Sequence, residues 1–329
     1  MKTLRVVDVG HGLHFKIDEE SNSELTVDYG GSRNLDRYRI HNGSFLLSHL
    51  HYDHYNGFLK RRYSRNTFSY IEHFYHPGMP RFFNSEKFLK IILAWNVYLN
   101  NVKPYIYQII KLIKSNLNLN VRPLFKGDSF ECGETKYEIL WPPKELDNVE
   151  INTSIKNAIE AFELLAERDE NLKRIYRNIQ DEKVNSDNYL ECLVRITNYK
   201  NTSAEPFSNT KLVESANTTI RKAANSLSLV FRQEDNILFL GDLEETELPF
   251  IMEELKKNRN LIYDIIISAH HGTHWHPSLF DLRSNICVSS LSRSNRKHFK
   301  YEYNDICNAL LSTDQIGDIY IEKKFNINI

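Results

Sequence analysis

The segment LLSHLHYDHYNG, residues 46 to 57, sets three histidines and an aspartate within the six positions from His49 to His54. Protonated imidazoles this close repel one another, and neutral ones would leave polar edges unsatisfied in an apolar core, so a shared partner should hold them. A metal ion is the natural partner. In H-x-H-x-D-H, His49 and His51 sit two apart on extended chain and face the same side, where both can grip one ion. Asp53 and His54, a short turn later, can face a second. Two adjacent divalent ions need an anionic bridge, and Asp242, which ends the apolar run ILFLGD, is placed to supply it. A water or hydroxide between such ions would be a nucleophile near neutral pH.

The surrounding pattern explains how a chain could present these groups. RVVDVG, HFKID, ELTVDYGG and GSFLL read as strands, with the histidines at the end of the last, where open α/β sheets place their chemistry. From about residue 85 the apolar spacing turns helical, in SEKFLKIILAWNVYLNNV and in a second stretch started by Pro104. Strands return in FKGDSFECGETKYEILWPP, with Gly133 in a hairpin turn. Residues from about 144 to 215 read as an insertion: an amphipathic helical stretch, then the polar loop NYKNTSAEPFSNTK. NSLSLVF, NILFLGD, DIIISAHHG and NICVSSLS complete the strand pattern.

Composition narrows the function classes. A formal net charge of −1 gives no overall pull toward nucleic acid or an anionic membrane. The basic run Lys60, Arg61, Arg62 and Arg65 reads as a solvated helix surface. MKTLRVVDVG lacks the apolar run of a signal peptide and no stretch reaches the length of a membrane span, so a cytoplasmic protein with no membrane partner is expected. Cys132, Cys192, Cys287 and Cys307 form no C-x-x-C pair and read as buried reduced thiols.

These motifs resemble those of the metallo-β-lactamase-fold hydrolases, which carry H-x-H-x-D-H at a strand end. DVGHG from Asp8, VDYGG from Val27, LWPP from Leu140, NSLSLVF from Asn225, LGD at Asp242, AHHGTHW from Ala269 and NRKH ending at His298 narrow the resemblance to the branch typified by the hydrolase domain of the DNA-uptake competence protein ComEC. The resemblance implies an α/β fold, a single αββα sandwich over residues 1 to 329 with helical insertions at roughly 82–120 and 144–215. It implies a binuclear site ligated by His49, His51, Asp53, His54, Asp242 and His298, with His270 and His271 flanking the metals as substrate contacts and Asp53 orienting the nucleophile or taking its proton. Zinc is the expected metal, with manganese or iron as alternatives. The implied reaction is hydrolysis of a phosphodiester, with nucleic acid or a nucleotide as the partner; a carbonyl substrate (amide, thioester or lactam) and a regulatory protein with a decayed site are the alternatives.

Three positions depart from the pattern. No histidine lies between His76 and His270 to give the first ion a third imidazole, and Asn225 occupies that region, so this site is expected to be weak, water-completed or empty. G-H-P has become R-K-H-F around His298, and His11 replaces a glutamine. His274 and His276 read as surface or supporting residues, and His73 and His76 as structural.

Overall fold

The computed structural model describes residues 2–19, 23–34, 43–57, 71–82, 84–99, 119–147, 149–180, 210–234, 236–258 and 261–322. The helix expected from Pro104, the basic run at residues 60–65, most of the polar loop around residue 200 and Cys192 lie outside these residues.

Strands β1 (Thr3–Val6), β2 (Phe15–Asp18), β3 (Glu24–Val27), β4 (Gly43–Leu46), β5 (Ile71–Pro77) and β6 (Asn120–Leu124) form one sheet in sequence order, with β14 (Ile319–Glu322) added beside β1. Strands β7 (Ser129–Cys132), β8 (Thr135–Trp141), β9 (Val230–Gln233), β10 (Ile237–Phe239), β11 (Ile262–Ile267), β12 (Arg283–Ser289) and β13 (Cys307–Ser312) form the other, again in order. Each sheet is antiparallel at one end and parallel at the other: β3 to β6 run parallel in the first, β10 to β13 in the second. The β7–β8 hairpin turns at Gly133, whose φ is 60°, as the sequence anticipates.

Period-two patterning decides which face each residue takes. Phe15, Ile17, Leu25, Val27 and Leu46 of the first sheet pack with Phe231, Ile237, Phe239, Ile265 and Ile267 of the second to fill the layer between them. The alternate residues of the second sheet, Val230, Leu238 and Ile266, point outward into a cluster with the helices. These are α2 (Ser85–Leu99), α3 (Val149–Ala166), α4 (Glu170–Gln180), α5 (Thr210–Asn225) and α6 (Leu248–Lys257); α1 is the short turn Tyr52–Tyr55 that follows β4. Two facing mixed sheets with helices packed outside make the α/β sandwich expected from the sequence; among the described residues the long helices cover the second sheet.

One segment differs from expectation. NSLSLVF reads as a strand from Asn225, yet Asn225 closes α5 and the strand begins at Val230. Ala216, Ile220, Ala223 and Ala224 are buried at helical spacing, and this apolar stripe carries the helix to the very edge of the site. Cys132 and Cys287 are buried as expected, whereas Cys307 is only half-buried. His76 is buried with Nδ1 3.0 Å from the Pro77 carbonyl, and His73 lies 3.4 Å from the Asn120 amide, both structural placements. Among the described residues no helix is long and apolar enough to cross a membrane.

Candidate metal centre

The H-x-H-x-D-H segment leaves β4 between two parallel neighbours, so its side chains emerge at the sheet's edge with their backbone fixed on both sides. Asp28, at the end of β3 with φ 53°, anchors it: the Ser48 amide donates to Oδ1 at 2.7 Å and the Ser48 hydroxyl to Oδ2 at 2.5 Å. Asp28 Oδ2 also accepts from His54 Nδ1 at 2.7 Å. With the Ser48 proton committed to Asp28, the Ser48 oxygen is the acceptor for His49 Nδ1, 3.1 Å away. A single buried carboxylate thus sets the tautomer of two histidines and leaves both Nε2 atoms to face the site.

The turn carrying Asp53 and His54 sits against two glycine loops. A Cβ at Gly30 would lie 1.9 Å from the Asp53 carbonyl oxygen and one at Gly12 2.5 Å from it, so DVGHG and VDYGG owe their glycines here to close approach. Tyr29 N donates to the His54 carbonyl at 2.8 Å and closes the contact.

From the other sheet, Asp242 follows β10 after Gly241, whose φ is 61°; its amide donates to Ser228 Oγ at 2.9 Å. Asp242 Oδ2 lies 3.3 Å from His54 Nε2, 3.2 Å from His271 Nε2 and 3.9 Å from His49 Nε2. His270 and His271 follow β11 in left-handed conformation, φ 45° and 60°, and the His270 amide donates to the Gly241 carbonyl at 2.9 Å. Two consecutive non-glycine residues in that region carry strain that the surrounding contacts must hold.

Two groups of donor atoms, each within 4.8 Å of one another, therefore form: His49, His54 and Asp242, and Asp53, His54 and His271. His51 stands beside the first, its Nδ1 2.9 Å from His49 Nε2. His11 reaches Asp53 Oδ2 at 3.2 Å.

Electrostatics keep the donors in ligating form. Burial pushes His51 down to about 3, helped by the Arg221 charge, and holds His49 well below the ordinary imidazole range. Burial opposes ionisation of Asp53 and Asp242, but the histidines around them outweigh it and hold both carboxylates down. His54 is the exception: despite desolvation, Asp242 and Asp28 raise it well above its usual value. Its buried Nε2 nevertheless has no aligned hydrogen-bond partner, so a cation other than a proton fits that position better.

Beside this cluster a cavity of about 200 Å3 brings His11, His51 and Asp53 together with Arg221 and an apolar wall that includes Ile92, Trp95 and Ile220.

The structure gathers His49, His51, Asp53, His54 and Asp242, all expected from the sequence, at one place. Of the other three, His271 joins that place, and His270 and His298 do not. His271 turns onto Asp242 as a candidate ligand rather than a substrate contact, and His270 turns toward Glu244, with Nδ1 3.7 Å from its Oε1. Burial lowers His270 to about 4. His298 is not brought to the cluster. It is exposed on the 3-10 turn Arg293–His298 because the next residue, Phe299, is buried against Gly272 and turns its neighbour outward.

Sequence reasoning missed Asp28 as the group behind His54, Arg221, and Glu244. The signal for Glu244 was its position two residues beyond Asp242. Asn225, in place of a third histidine, donates its amide to Glu244 Oε1 at 2.8 Å. His276 caps the 3-10 turn at Pro277 by accepting from the Ser278 amide at 3.1 Å, a structural task.

Fold and site together define a two-sheet α/β sandwich with a candidate metal centre where the two sheets meet. No family model matches the chain, and no curated protein matches it. Among solved structures, a mutant of CmlA beta-hydroxylase aligns at a TM-score of 0.43 and 10% identity, over 98% of this chain and 54% of that one. The chain spans about half the length of that neighbour, and so distant a likeness says nothing of a shared reaction.

Proposed function

We propose that the chain is a metal-dependent hydrolase of phosphodiesters, with a nucleotide or nucleic acid as the substrate class. The observation that carries the reading is the convergence of His49, His54 and His271 on Asp242 Oδ2 beside Asp53, next to a cavity that holds the Arg221 cation. The donor set fits two divalent ions, zinc first, with manganese and iron suited by the same imidazole and carboxylate ligands. His49 and Asp242, joined by His51, would hold one; Asp53, His54 and His271 would hold the other. Such ions supply an acidified water and neutralise charge on a substrate oxygen.

The chain's own residues do the rest. Asp53 is held too acidic to take a proton efficiently, so it orients rather than deprotonates, with His11 fixing its free oxygen. Arg221 supplies a positive charge at the cavity for a phosphoryl oxygen, and Ile92 and Trp95 supply an apolar face for a base or aryl group. That same apolar wall favours a second reading, hydrolysis of a carbonyl substrate.

The test is a panel under the bound metal: a bis-aryl phosphodiester and single-stranded DNA and RNA against a chromogenic lactam and a thioester, with Asp53→Ala as background. Turnover of the phosphodiesters, lowered about 10-fold or more by Arg221→Ala, is expected. Turnover of the carbonyl substrates alone would overturn it.

A further inference from the structure

Next to the candidate centre lies a second constellation that its chemistry does not use. Glu244, His270 and His274 bring one donor atom each within 4.8 Å of one another. His274 Nε2 is 3.2 Å from Glu244 Oε2, and His270 Nδ1 is 3.7 Å from Glu244 Oε1. The two imidazoles stack in parallel, centroids 4.2 Å apart and planes 7° off. The His270 and His274 side chains are 20% and 22% exposed, whereas Glu244 is 10% exposed, so the group opens to solvent on its imidazole side.

The hydrogen bonds of this group leave two of its contacts unanswered. The Thr273 hydroxyl donates to the His270 carbonyl at 2.6 Å, so its oxygen must accept from His274 Nδ1, 3.1 Å away. In a neutral His274 the lone pair of Nε2 then faces a carboxylate, which is repulsive unless a cation stands between them. A proton on His274 would answer that contact alone. It leaves His270 Nδ1, a buried nitrogen with no hydrogen-bond partner, unanswered. Protonating both rings would set two cations face to face at stacking distance. One divalent ion answers all three groups at once, since donors bound at about 2.0–2.2 Å in tetrahedral array stand roughly 3.3–3.6 Å from one another.

We propose that Glu244, His270 and His274 form a third metal site, for a divalent ion of the zinc or cobalt class, with an open position toward solvent. Asn225 is the residue that readies it: its amide fixes Glu244 Oε1 at 2.8 Å and turns the carboxylate to the histidines. The site stands whether or not the neighbouring cluster hydrolyses phosphodiesters.

The experiment is a cobalt(II) titration of the chelator-treated whole chain, read by visible absorption and by equilibrium dialysis, on the wild type, His274→Ala, Glu244→Gln and the double variant Asp53→Ala/His54→Ala. His274 is partly exposed, so its truncation should leave the fold intact, which circular dichroism and the thermal midpoint check. The expected result is one equivalent fewer in both His274→Ala and Glu244→Gln, and the loss of one further equivalent when His274→Ala is added to the Asp53/His54 double variant. Wild-type stoichiometry in folded His274→Ala and Glu244→Gln would overturn the proposal, as would loss of all bound metal in either, which would make these residues part of the neighbouring centre.

Discussion

Asp28 positions the candidate centre without standing among its donor atoms. It is fully buried, and its two oxygens take the Ser48 amide, the Ser48 hydroxyl and His54 Nδ1. Through Ser48 it also fixes His49, so the orientation of one imidazole in each donor group depends on it. Outer carboxylates of this kind typically contribute 10–100-fold to metal affinity, because they hold the ring and raise its basicity. Asp28→Asn keeps the shape and loses the charge. Metal affinity measured by competition with a chromogenic chelator should fall about 10–100-fold with the far-ultraviolet circular dichroism unchanged; unaltered affinity would show that Asp28 only closes the β3 turn.

At the scale of elements, two sheets each deliver part of the site from a loop pinned by glycine. The Asp53–His54 turn follows β4 of one sheet and rests on Gly30, while Asp242 and His271 follow β10 and β11 of the other. Gly30→Ala forces a methyl into the Asp53 carbonyl, a backbone atom that cannot swing aside. About 1–3 kcal/mol of stability should be lost, as in other overpacked sites, together with metal binding at Asp53. Chemical denaturation and metal analysis of the variant measure both, and a Gly30→Ala protein with native stability and full metal content would contradict the close approach.

The strands and the first half of the site were legible because their signals are local: period-two alternation, glycines after apolar runs, and ligand types at spacing that an extended strand and a turn allow. What was not legible depends on which distant side chains meet. His271 and His298 both follow strands in plausible positions, and only the burial of Phe299 decides that His298 faces solvent. Glu244 acquires its meaning from His270 and His274, about thirty residues on, and Asn225 from the length of α5.

For the whole molecule, the order of the strands is what makes a two-sheet centre available. The parallel halves, β3 to β6 and β10 to β13, direct their carboxyl ends to one edge of the sandwich, and the helical layer on the second sheet brings α5 with Arg221 to the same edge. The proposed centre at this edge uses His49, His51, Asp53, His54, Asp242 and His271, and not His298. Zinc content per chain, measured by elemental analysis after reconstitution of wild type, His271→Ala and His298→Ala, tests it most directly. His298→Ala should bind as much zinc as the wild type and His271→Ala should lose at least one equivalent; loss of zinc in His298→Ala with full retention in His271→Ala, or a wild-type chain that binds none, would contradict this ligand set.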